Sequence, residues 1–147
     1  MQLEGIDHVA MSVHDVERSA QWYIDILGFE HRHKGVWNGI PTFIGKGKTA
    51  IALFPTKSNT TSTSLAAVAL GTPKRDEGGS AKAAASRDEI RMLHLAFRAD
   101  RKNFLAAQEE LKRHGIKFEF EDHEISHSIY FRDPDGHELE ITTYELK

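Results

Sequence analysis

Ile6-Asp7-His8-Val9-Ala10-Met11-Ser12-Val13 and, further along, Met92-Leu93-His94-Leu95-Ala96-Phe97-Arg98-Ala99 are two versions of one pattern, and their likeness decides the fold. Each is a short run of alternating side chains with a histidine at the third position. In the first, His8, Ala10 and Ser12 share one face of a strand and Val9, Met11 and Val13 share the other. Each run is followed by a helix signal. Asp15 and Asp100 are suited to cap the first unpaired backbone N–H groups. Apolar residues then recur every three to four positions, at Val16, Ala20, Tyr23 and Leu27 and again at Phe104, Ala107 and Leu111. Gly28 and Gly115 supply the left-handed position that ends many helices.

Strand signals follow both helices, at Phe29–His33, Gly35–Ile44 and Thr49–Phe54, then at Lys117–Glu121, Ser126–Arg132 and Glu138–Tyr144. Asp133-Pro134-Asp135-Gly136 is a strong turn, because proline fixes φ and glycine accepts a positive φ. The order is βαβββ twice, an α+β arrangement with antiparallel or mixed sheet. The modules span residues 1–55 and 89–147 of one domain, 1–147. Residues 56–88, rich in Ser, Thr, Gly, Ala and charge, join them as a linker or a lid, with a short helix signal at Ser64–Leu70.

Composition narrows the function. At 147 residues, 39% hydrophobic and 28% charged, the chain has the balance of a globular domain with a sizeable core. No apolar run approaches the ~20 residues that span a bilayer. The start of the chain has no secretory pattern, so the expectation is a cytoplasmic protein without a membrane partner. A net charge of −3 without a dense basic face argues against nucleic acid. Cysteine is absent, so thiolate ligands and disulfides play no part. Nine histidines are present, and their placement carries more information than their number.

His8 and His94 are equivalent by the repeat. Packing of the modules as pseudo-twofold mates would turn both imidazoles into one cavity. Glu140 lies on a strand with Glu138 and Thr142 on the same face, where a carboxylate is costly inside a core unless paired or metal-bound. Two imidazoles and a carboxylate form a facial triad with open positions, suited to one divalent ion of Fe, Mn, Ni, Co or Zn. A lone strand histidine is more often a hydrogen-bonded structural residue. The equivalence of His8 and His94 is what favours His8, His94 and Glu140 as ligands.

The stretch His127-Ser128-Ile129-Tyr130-Phe131-Arg132-Asp133-Pro134-Asp135-Gly136-His137-Glu138-Leu139-Glu140 closely resembles the last module of the vicinal oxygen chelate superfamily. That superfamily includes glyoxalase I, extradiol dioxygenases, fosfomycin-resistance thiol transferases and bleomycin-binding proteins. Gly5–Ala10 and Leu93–Phe97 look like its other two ligand strands. The resemblance covers nearly all of the chain outside residues 56–88. It implies a cupped, partly closed sheet around the metal, a small-molecule substrate with adjacent oxygens, and a homodimer.

By the repeat, Glu140 corresponds to Ala52, which cannot coordinate, so the four-ligand pattern of glyoxalase I is not met. The resemblance to ring-cleaving dioxygenases places Tyr130 in the active site as a hydrogen-bond donor, with His123 or His127 moving protons; Glu121 departs from that signature. Related lyase chemistry is the companion reading. The same stretch resembles the fosfomycin enzymes, although no strong Lys/Arg constellation accompanies Arg132. Sequestration of a drug or metabolite without chemistry is the alternative from another class. Trp22 and Tyr23 read as helix-face packing. Trp37, flanked by Gly35 and Gly39, reads as a pocket aromatic, and His14, His31, His33, His114 and His137 as surface histidines.

Overall fold

A computed structural model describes residues 1, 2, 4–56 and 92–147. The expected linker or lid lies outside the described residues except for Thr56. The elements are β1 (Val9–Val13), α1 (Val16–Leu27), β2 (Glu30–Arg32), β3 (Thr42–Lys46), β4 (Thr49–Pro55), β5 (Leu95–Arg98), α2 (Arg101–Arg113), β6 (Glu119–Asp122), β7 (His127–Arg132) and β8 (Glu138–Thr143). They form two mixed four-stranded sheets, in the orders β1-β4-β3-β2 and β5-β8-β7-β6. β1 runs parallel to β4 and β5 parallel to β8, and the remaining pairs are antiparallel. This is an α+β fold without a closed barrel, and the two modules have the same topology.

Local chemistry explains the boundaries. Asp15 accepts from the Arg18 N–H, and α1 ends at Gly28, whose φ of 66° is left-handed. Asp100 accepts from the Asn103 N–H at the start of α2. The expected strand Gly35–Ile44 is corrected: Val36–Gly39 form a 3₁₀ turn, and β3 starts only at Thr42. Gly35 and Gly39 have positive φ, and so do His33, Trp37 and Asn38, each at 53°. That backbone cannot join a ladder.

One face of each sheet packs on the helices. Met11, Val13, Ile44, Ile51 and Leu53 from the first sheet, Ile129, Leu139 and Ile141 from the second, and Tyr23, Phe104 and Leu111 from the helices share one core. Full burial of each such large side chain contributes about 1.5–3 kcal/mol. Aromatic contacts cross between modules, Phe29 to Phe97 at 5.9 Å and Trp22 to Phe131 at 6.4 Å between ring centroids. By strand alternation, His8, Ala10, Phe43 and Ala52 point away from the helices in the first module, and His94, Ala96, Tyr130 and Glu140 do so in the second.

Candidate metal centre

The register places the second module's site. Ala96 pairs with Glu140, and Tyr130 pairs with Glu140 from the other side. His94 stands two residues before Ala96, just ahead of β5, so it shares the face of Glu140 and Tyr130. Its Nε2 lies 2.9 Å from Glu140 Oε2. Glu140 is only 7% exposed, and its other oxygen accepts from the Ser128 hydroxyl at 2.6 Å. A buried carboxylate is costly unless partnered; here each oxygen faces a polar atom.

Tyr130 borders this pair. Its ring meets His94 edge-on at 5.7 Å, and its hydroxyl lies 3.1 Å from His123 Nε2. Burial pushes the Tyr130 hydroxyl above its ordinary pKa, and the neighbouring Glu140 carboxylate adds to the effect. At neutral pH the phenol keeps its proton and can donate it in a hydrogen bond. Glu121 Oε2 sits 3.7 Å from the same His123 nitrogen.

The first module repeats the frame with other side chains. Ala10 pairs with Ala52, and Phe43 pairs with Ala52. Phe43 and Ala52 are therefore the register counterparts of Tyr130 and Glu140. His8 meets Phe43 edge-on at 5.2 Å, as His94 meets Tyr130. Its Nδ1 pairs with Asp7 Oδ2 at 2.7 Å, which leaves Nε2 as the nitrogen for a ligand, the usual orientation of a metal-bound histidine with a carboxylate behind it. The donor set suits a divalent ion: an imidazole and a buried carboxylate already face one another, and a second imidazole is oriented for the same role.

The expected meeting of all three donors in one cavity of the chain is corrected. β1 and β5 are edge strands of separate sheets, and among the described residues no three His, Asp or Glu side chains are grouped to hold an ion. His127 lies apart from Tyr130 and Glu140. It alternates with Ser128 and Tyr130, so it points to the opposite side of β7, where it meets Phe120 at 5.2 Å and lies 3.7 Å from Asp122.

A family model of the Glyoxalase/Bleomycin resistance protein/Dioxygenase superfamily matches residues 5–141. The chain belongs to this superfamily. It is 29% identical over 150 residues to the metallothiol transferase FosB of Staphylococcus epidermidis, a match covering all of this chain and 87% of that protein. Among solved structures it is similar to a lactoylglutathione lyase from Agrobacterium tumefaciens, with a TM-score of 0.67, 19% identity, and 97% and 96% of the two chains covered. It is also similar to the fosfomycin resistance protein FosX from Mesorhizobium loti, with a TM-score of 0.60, 21% identity, and 99% and 96% covered.

In this superfamily member two features escaped sequence reasoning. One is Ser128, whose hydroxyl is the donor that holds Glu140. The other is the join between α1 and the Asp133–His137 turn. Tyr23, expected as simple packing, donates to Asp133 Oδ2 at 2.8 Å. His137 Nδ1 reaches the same oxygen at 2.8 Å. Asp135 takes the His14 backbone N–H at 2.8 Å and the Ser19 hydroxyl at 2.5 Å. His14 and His137, read as surface histidines, therefore belong to a network between the modules. Burial alone would raise the Asp133 carboxyl, but the hydrogen bond and charge of His137 and the Tyr23 hydroxyl outweigh it and hold it below the usual range. The hydrogen bond to Asp133 holds His137 above its ordinary value. Burial, with the Asp133 charge behind it, pushes the Tyr23 hydroxyl well up. A cleft of about 840 Å³ beside α1, β5 and α2 contains none of the predicted site residues.

Proposed function

We propose that the chain is a divalent-metal enzyme acting on a small molecule with two adjacent oxygens. We further propose that it works as a homodimer, His8 of one protomer joining His94 and Glu140 of the other. The observation that carries this reading is the 2.9 Å approach of His94 Nε2 to the buried Glu140 carboxylate. The placement of His8 supports dimerisation. Its imidazole is oriented by Asp7 and stands at an edge strand of a separate sheet, so a second copy is the simplest source of the third donor.

When bound, the ion would act as a Lewis acid, favouring the deprotonated form of adjacent substrate oxygens and leaving positions open for them. The protein side of the mechanism is local. Ser128 fixes Glu140, Tyr130 gives its phenolic proton to a substrate oxygen, and His123, with Nε2 3.1 Å from that hydroxyl, resupplies it. Ring-opening oxygen chemistry or a lyase reaction would use these groups in this way.

Thiol transfer to a phosphonate is the second reading, favoured by the 29% identity to a metallothiol transferase over the whole chain. Among the described residues, the arginines near the sheet faces are already engaged. Arg132 binds Glu138 at 2.6 Å, Arg98 lies 5.3 Å over the Tyr144 ring, and Arg32 donates to the Gly47 carbonyl at 2.6 Å. An anion pocket built from these three arginines would have to draw one of them away.

Elemental analysis of the protein beside His8→Ala, His94→Ala and Glu140→Ala, with metal restored anaerobically, tests the reading. Near one ion per chain in the parent, lost in each folded variant, is the expected result. Mixing His8→Ala with Glu140→Ala chains should restore about a quarter of the sites, because about half of the pairs are then mixed and each mixed pair holds one complete set of donors out of two. Absence of metal under every condition would sink the enzyme reading and favour sequestration of a ligand.

A further inference from the structure

The two sheet faces that carry the histidines differ in chemistry position by position. Tyr130, Arg132, Glu138 and Glu140 of the second module correspond in register to Phe43, Gly45, Ala50 and Ala52 of the first. Every polar group on that part of one face has an apolar counterpart on the other. Beside Phe43 the chain adds further aromatic surface. Trp37 lies 5.3 Å from the Phe43 ring, and His33 lies 5.8 Å from each of them.

This cluster is held by unusual backbone. His33, Trp37 and Asn38 all adopt left-handed φ, which costs about 1–2 kcal/mol for each non-glycine residue. The strain is concentrated where it brings the Trp37 and His33 rings against Phe43, and Trp37 is left 54% exposed. An exposed indole in a strained loop beside a candidate metal ligand is poorly explained by packing alone.

We infer that Phe43, Trp37 and His33 form an aromatic wall that binds the flat ring of a substrate whose adjacent oxygens lie toward the ion shared by His8 with His94 and Glu140 of a second copy of the chain. The inference rests on the proposed metal reading and deepens it, since it selects an aryl substrate with vicinal oxygens over a small aliphatic phosphonate. A planar ring gains offset or edge contacts from such a wall. A compact phosphonate would leave the wall wet, and Arg32 beside it is already engaged, its guanidinium lying over Gly45 and bonded to Gly47.

Trp37 also reports on its own occupancy. The chain has two tryptophans, so Trp22→Phe leaves Trp37 as the sole indole. The probes are 4-methylcatechol, p-cresol, which lacks one hydroxyl, and methylphosphonate. In metal-loaded Trp22→Phe protein under anaerobic conditions, 4-methylcatechol should change Trp37 emission saturably and p-cresol should do so more weakly. Calorimetry on protein retaining Trp22 should show Trp37→Ala weakening 4-methylcatechol binding about tenfold. Trp37→Phe should recover most of the loss, with metal content unchanged in both.

Equal binding of 4-methylcatechol by parent and Trp37→Ala would overturn the wall, as would tighter binding of methylphosphonate than of either phenol. Dissociation of the copies on Trp37→Ala substitution would also overturn it, by making Trp37 an interface residue. Should the protein take up no metal, the functional reading falls separately. The wall is then judged with p-cresol on metal-free protein, where a saturable Trp37 response supports it and a flat one overturns it.

Discussion

Ser128 has no exposed surface, and its hydroxyl lies 2.6 Å from the buried Glu140 Oε1 and 3.0 Å from Thr142 Oγ1. Replacing it with alanine leaves Glu140 Oε1 without that donor, at a cost of about 1.5–3 kcal/mol for a charged partner. The Ser128→Ala variant should unfold at lower urea concentration, while keeping the parent circular dichroism. Glu140→Gln makes the complementary test, since it keeps the shape and removes the charge. It should lose most of its metal by elemental analysis, and an undiminished content would show that the carboxylate is not a ligand. Glu140 was legible in the sequence because a charge on an otherwise apolar strand needs a partner. Ser128 was not, because a serine on a strand face gives no hint of what stands opposite until the register is known.

At the level of elements, the helix ends are where sequence and structure agree most closely. Asp15 and Gly28 mark α1 by local geometry alone, and local geometry is what a sequence encodes most directly. Gly28→Ala should cost about 1–2 kcal/mol, since the residue sits at φ 66°. A Cβ there would also stand 3.0 Å from Lys46 Nζ, which donates to the Leu27 carbonyl at 2.7 Å. A drop in melting temperature should accompany the substitution, and no change would mean that the turn relaxes freely. The segment Gly35–Ile44 was misread as one strand because its glycines do not announce how many neighbours follow them into left-handed φ. His127 takes a side of β7 that was hidden for a related reason. Its distance from Tyr130 in sequence is odd, and an odd offset on a strand points to the other face.

For the whole molecule, the join between modules carries a pH dependence of known sign. The Asp133 carboxyl is held below its usual range, so its contribution is complete above about pH 4 and lost as pH falls through the folded value. His137 is held above its usual value, so its contribution is complete below about pH 6.5 and lost as pH rises through the folded value. Together they stabilise the join most between those limits. Melting temperature should therefore decline from about pH 6 to about pH 9, and decline less in His137→Gln, which keeps an amide but no titrating group. Equal slopes would remove His137 from the account. Residue His14 meets Asp135 across 121 positions, a contact no local pattern reveals. The failure of His8 to meet His94 within the chain has the same origin. Repeat symmetry makes the two residues equivalent, but equivalence in pattern does not decide which copies of the modules face one another.

Ala52, completely shielded from solvent, has a consequence through what it lacks. A carboxylate in its place would stand to His8 as Glu140 stands to His94. The imidazole would then be paired within its own module, as His94 is paired with Glu140. Ala52→Glu is expected to lower the metal content seen by elemental analysis, because the new carboxylate would compete for His8 as a donor. On the proposed reading, the small side chain at Ala52 is what leaves His8 without a carboxylate of its own on that face.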